Sequence, residues 1–119
     1  MTELEREQCL NRLKEIKECT SIPNWNGYNA MPIPPAYFEK AEALIEVLSY
    51  KPEIFPTACS SIQFDYTFAN NAYIECELYL DRTADISMSC YNTYMIDKTI
   101  KIVKELYDTI EKVVKIKNG

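Results

Sequence analysis

The amino-acid sequence predicts an α+β fold in two layers, a three-stranded antiparallel β-meander with helices packed on one face, in the order α-α-β-β-β-α. Three observations carry that expectation. Apolar residues recur at three- and four-residue spacing near both ends of the chain, they alternate with polar ones in the middle, and there are only two glycines. So few glycines argue against a many-turned β-sandwich and against a glycine-rich phosphate loop. The 119 residues form one domain, 1–119, long enough to bury a core without metals or disulfides.

The first helix opens on Thr2 with Glu5 three residues later, the spacing of a capping box. Leu4, Cys9, Leu10, Leu13 and Ile16 then share a face, and the helix is expected to end near Cys19, ahead of Pro23. Pro34-Pro35 suits the first turn of a second helix, where a missing N–H costs nothing. Phe38, Ala41, Ile45 and Leu48 follow as its apolar stripe. "KPEIFPTA" (51–58) is expected to run as an extended connector, because each residue before a proline is pushed out of the helical region.

From Ser61 the period becomes two. Ile62, Phe64, Tyr66 and Phe68 alternate with polar residues, as do Ile74, Cys76, Leu78 and Leu80, then Ile86, Met88 and Cys90. Ala69–Asn71 and Asp81–Asp85 supply the turns. The last segment, from about Tyr94 to Ile116, is expected to be one long helix whose face carries Ile96, Ile100, Val103, Tyr107, Ile110 and Val114. Phe64, Ile74, Leu78, Ile86, Met88, Ile100, Val103 and Ile110 are the expected core.

The formal net charge is −5, but from Asp97 onward six lysines meet four acids, so residues 1–96 carry −7. Such a body does not suit direct binding to nucleic acid, which draws on clustered Lys and Arg. No run approaches the length of a membrane span, and the odd count of five cysteines without a CxxC pair fits reduced thiols in a cytoplasm. There is no histidine at all. That removes Ser-His-Asp and Cys-His catalysis and imidazole-ligated metals, and no cofactor is expected.

Strand alternation places Gln63, Asp65, Thr67, Tyr73, Glu75, Glu77, Tyr79, Ser87, Ser89 and Tyr91 on the outer face of the sheet. Of these, Asp65, Tyr73, Glu75, Glu77, Tyr79 and Tyr91 are the candidate partner-binding residues, an acidic and aromatic patch without Lys or Arg. Tyrosine is enriched at binding hot spots, and clustered acids steer toward a basic partner. A plain solvated face is the alternative reading of the same residues.

The stretch "NWNGYNAMPIPP" (24–35) holds the sole Trp and the turn dipeptide Asn26-Gly27. Trp25 and Tyr28 are expected to fold back onto the helices as anchors of a rigid corner. With the helix that follows, "IQFDY" and "IECELYLD", this stretch resembles a family of small bacterial and phage proteins with a recurring Trp-Asp-Gly-Tyr-Gly-Ala block followed by Pro. The likeness spans roughly residues 20–82 and departs at Asn26, for Asp, and at Asn29, for Gly. It implies a layout and carries no catalytic residue.

Two functions follow as expectations. The first is a small acidic, non-catalytic interaction protein of the cytoplasm, or of the host cytoplasm if phage-encoded. It would bind and modulate or inhibit a protein with a basic surface, as antitoxins, immunity proteins and anti-CRISPR-like inhibitors do. The second is a small-ligand binder or a histidine-independent enzyme using Asp65, Glu75 or Glu77. No membrane partner is expected, and a homodimer through a sheet edge is a further expectation.

Overall fold

The computed structural model describes residues 1–68, 72–90, 93–101 and 103–118. Helix α1 (Glu3–Cys19) starts as its sequence requires: Thr2 Oγ1 accepts from the Glu5 N–H at 3.1 Å, and Glu5 Oε1 accepts from the Thr2 N–H at 2.9 Å. This reciprocal pair satisfies two backbone donors that the helix cannot. Cys9, Leu13 and Ile16 form its buried stripe. Helix α2 (Pro35–Val47) begins at its proline, with Pro34 at the N-cap, and buries Phe38, Ala41, Leu44 and Ile45.

The fold is α+β, but the sheet has five antiparallel strands in sequential order: β1 (Glu53–Pro56), β2 (Ile62–Thr67), β3 (Tyr73–Leu78), β4 (Ala84–Cys90) and β5 (Thr93–Ile100). Two expectations are corrected here. The connector before β2 is extended, as its prolines demand, and it also pairs with β2, Ile54 opposite Phe64. The segment expected to start the last helix is instead a strand. Helix α3 runs only from Val103 to Asn118.

The second correction has a physical cause. Ile96, Ile100 and Val103 fit a helical stripe by spacing, yet Thr93, Ile96, Thr99 and Ile100 are β-branched and suit a strand as well. The open edge of β4 decides between them. Pairing Ala84 with Ile100 and Ser87 with Asp97 places Ile100 fully inside. Val103, expected in the core, is 56% exposed, while Leu106, Ile110 and Val114 form the buried face of α3.

One continuous core joins the inner face of the sheet to the three helices. Ile54, Ile62, Phe64, Ile74, Cys76, Leu78, Ala84, Ile86 and Ile100 meet Leu13, Phe38, Ala41, Ile45, Leu106 and Ile110. Each large side chain removed from water there contributes about 1.5–3 kcal/mol before entropy is subtracted. Cys76 is buried as expected, its thiol pushed up to about 12 chiefly by loss of water. The side chain of Cys90 lies outside the described residues.

Three polar ties cross the layers. Lys40 on α2 donates to the carbonyls of Tyr79 and Arg82, fastening the β3–β4 turn. Tyr66 donates to the Tyr50 carbonyl at 2.7 Å. Arg12 Nε on α1 donates to the Ile54 carbonyl at 3.0 Å. Pro52 and Pro56, two residues to either side of Ile54, have no N–H. The β1 edge is thereby a poor template for another strand. No helix among the described residues is long and apolar enough to cross a membrane.

Candidate functional site

With all three helices on one side of the sheet, the other face carries the side chains that alternate out of the core. The strand register arranges them in rows. Glu53, Asp65, Glu75, Ser87 and Asp97 stand opposite one another across all five strands. The next row is Phe55, Gln63, Glu77, Asp85 and Thr99. Neighbouring strands lie about 4.8 Å apart, so six carboxylates are gathered on one small surface.

The sequence-predicted residues Asp65, Tyr73, Glu75, Glu77 and Tyr79 all lie on this face, half-buried. Tyr91 lies outside the described residues. Ser89, expected outward, keeps its place opposite Tyr73 but is only 3% exposed; beside it, between Met88 and Ser89, the pairing with β5 shifts by one residue. Sequence reasoning missed three acids of the face. Glu53 was assigned to a connector, Asp85 to a turn and Asp97 to a helix. The two-residue spacing of Glu53 and Phe55 around Ile54, and of Asp97 and Thr99 ahead of Ile100, is the available signal.

Neutral donors hold three of these six carboxylates. Gln63 Nε2 donates to Asp65 Oδ1 at 2.9 Å, Ser61 Oγ to Glu77 Oε2 at 2.6 Å, and Thr99 Oγ1 to Asp85 Oδ1 at 2.8 Å. Burial raises the Asp65 pKa, the Gln63 bond opposes that, and the charges of Glu75 and Glu53 add to the rise. The expectation of a patch without Arg is corrected at one end. Arg82 places its guanidinium 3.9 Å from the Tyr79 ring centroid and pairs with Asp85 at 3.2 Å and Asp81 at 3.1 Å. The Tyr79 hydroxyl is pushed up to about 12, first by loss of water and then by the bond and charge of Glu77.

A dent of about 100 Å³ lies among Gln63, Glu75, Glu77, Asp85, Ser87 and Asp97. Among the described residues, no group of three His, Cys, Asp or Glu side chains is arranged to hold a metal ion.

The Trp25/Tyr28 corner divides in two. Trp25 packs against the core and donates from Nε1 to the Met31 carbonyl at 2.8 Å, the anchoring expected of it. Tyr28 does the opposite: it is 86% exposed, so the expectation that it folds back on the helices is overturned. The backbone explains why. Asn24, Gly27 and Asn29 adopt φ of 61°, 76° and 64°, the left-handed region that Gly and Asn tolerate best. Asn26 Oδ1 accepts from the N–H of Tyr28 at 2.8 Å and of Ala30 at 3.1 Å, and Asn24 Oδ1 accepts from that of Asn29 at 2.8 Å. Curled around these amides, the loop turns Tyr28 outward.

The corner also touches the rim of the acidic face. The Met31 carbonyl accepts a bond from Ser60 Oγ at 2.6 Å, and the next residue, Ser61, is the donor to Glu77. No family model, curated protein or solved structure significantly matches this chain.

Proposed function

We propose that this chain is a small acidic interaction protein that binds a basic protein surface through the outer face of its sheet and thereby modulates or inhibits that partner. The row Glu53, Asp65, Glu75 and Asp97 carries this reading. Like charges directly opposed across strands each cost about 0.2–1 kcal/mol. A face that keeps them at the expense of stability is accounted for by an opposite charge from outside. A nucleic-acid-binding cleft is one basic surface of this kind, so an antitoxin, an immunity protein or an anti-CRISPR-like inhibitor is the concrete form. The same field repels phosphate, which argues against nucleic acid as a direct ligand. The action would take place in the cytoplasm, that of the host for a phage-encoded chain.

The Asn26 and Asn29 departures from the family block support keeping the family layout. An Asp at 26 would accept the same two backbone bonds, and Asn at 29 holds the positive φ that Gly would. Should two copies join through a sheet edge, β5 is the edge available, since β1 is closed by Arg12 and its prolines.

Affinity capture from extracts of the native host, with wild type and a Glu75→Gln/Glu77→Gln variant at low and high salt, tests the reading. A basic protein retained at near-stoichiometric yield by wild type, released by salt and lost with the variant is the expected result. Retention that the variant leaves unchanged sinks it. The raised Asp65 carboxyl favours the second reading, carboxylate acid/base chemistry. There the same variant would abolish turnover rather than weaken a salt-sensitive contact.

A further inference from the structure

The corner loop is the one feature singled out in the sequence that the acidic face does not explain. It has three independent properties. Its backbone is fixed before any partner arrives, by the side-chain amides of Asn24 and Asn26 and by a bond from the Asn24 N–H to the Ala30 carbonyl at 2.7 Å. It displays Tyr28 almost fully, with Ile22 and Met31 also exposed. Finally, residues 21–31 contain no Lys or Arg, so the loop supplies no cation of its own to the tyrosine ring. An aromatic held open on a rigid loop loses little entropy when it is covered.

The chain itself shows what such a ring takes next to acids. Arg82 lies over Tyr79 at 3.9 Å while pairing with Asp85 at 3.2 Å, a guanidinium held between an aromatic face and a carboxylate. Phe38 likewise has Lys17 over its ring at 5.9 Å. Tyr28 has no cation placed over it among the described residues. It belongs to the loop whose Met31 carbonyl binds Ser60, one residue before the partner of Glu77.

We infer that Tyr28 and the Glu77 end of the acidic face form a two-point site for an arginine-bearing segment of a protein partner, the ring taking a guanidinium and the carboxylates taking its neighbours. This rests on the proposed function for its acidic half and adds the loop and the preference for arginine over lysine. A planar guanidinium stacks on an aromatic and forks to a carboxylate at once, which a compact ammonium does not do.

Octa-arginine and octa-lysine peptides serve as probes, titrated by calorimetry and by amide chemical shifts at low salt. Four proteins are compared: wild type, Tyr28→Ala, Glu75→Gln/Glu77→Gln, and Glu39→Gln/Glu42→Gln. The last removes the same charge from exposed positions on α2. Tyr28→Ala is expected to weaken octa-arginine about 2- to 30-fold, the range for a cation on an aromatic face, and octa-lysine less. Tyr28→Phe should retain the arginine affinity. Shifts should gather in residues 21–31 and on the outer sheet face. If the sheet variant weakens binding and Tyr28→Ala does not, the loop has no part and the inference falls while the acidic-face reading stands. If the sheet and helix variants weaken binding equally, or no peptide binds, the acidic-face reading falls and takes the inference with it.

Discussion

Replacing Asp65 by Asn should make this protein more stable. Asp65 stands opposite Glu53 on one side and Glu75 on the other, so the substitution removes two like-charge pairs at once. At about 0.2–1 kcal/mol for each directly opposed pair the gain is about 1 kcal/mol. The Gln63 amide keeps its acceptor, since Asn also presents an Oδ1. For a chain of this size that corresponds to a rise in Tm of about 3–6 °C.

The sign with pH follows from the direction of the Asp65 shift. Its folded pKa is raised above the unfolded value, so the native state binds more protons between the two, and wild-type stability falls as pH climbs through that window. Below about pH 3 both states are protonated, and variant and wild type should converge. Urea unfolding followed by fluorescence of Trp25, the sole tryptophan, measures this at neutral and acid pH. Two salt levels complete it: the Debye length shrinks from about 30 Å at 0.01 M to about 3 Å at 1 M, so the gain should shrink too. A variant less stable than wild type at neutral pH and low salt would refute the reasoning. So would a gain of equal size in acid.

Four further outcomes test other parts of the structure. Ile100→Ala should cost about 2–5 kcal/mol, as a fully buried side chain does, whereas Val103→Ser should stay within about 0.5 kcal/mol because its side chain faces water; the urea midpoints report both, and a single long helix would make both costly. Lys40→Met keeps the stem and removes the bonds to Tyr79 and Arg82. It should cost about 1.5–3 kcal/mol by denaturant titration, the range for hydrogen bonds to a charged group. Gly27→Ala should cost about 1–2 kcal/mol through its φ of 76° alone, since an added Cβ meets nothing within 4 Å. Asn26→Ala should speed hydrogen exchange at the Tyr28 and Ala30 amides, which lose their acceptor.

A face rich in opposed carboxylates and a loop that wraps its own amides share one physical character. Each spends local stability on presenting chemistry outward. The core does the opposite, burying Phe64, Ile74, Ile86 and Ile110 without a polar atom among their side chains. That contrast sets the candidate surface apart from the scaffold.

Local rules determined much of this from sequence. The capping box at Thr2 and Glu5, the proline start of α2, the alternation in β2, β3 and β4, and the burial of Ile110 and Val114 on the last helix each follow from neighbours a few residues apart. Five of the six residues expected to bind a partner were placed by the same alternation on the face they occupy. What sequence left open required groups distant along the chain. Residues 93–100 satisfy a helical and a strand pattern alike, and only the unpaired edge of β4 chooses. Glu53 and Asp97 join Asp65 and Glu75 solely through register across strands. Tyr28 points outward because Asn24 and Asn26 satisfy the loop amides from within, leaving the helices to bury Trp25 instead. Periodicity reports which side chains share a face; pairing and backbone hydrogen bonds decide what that face meets.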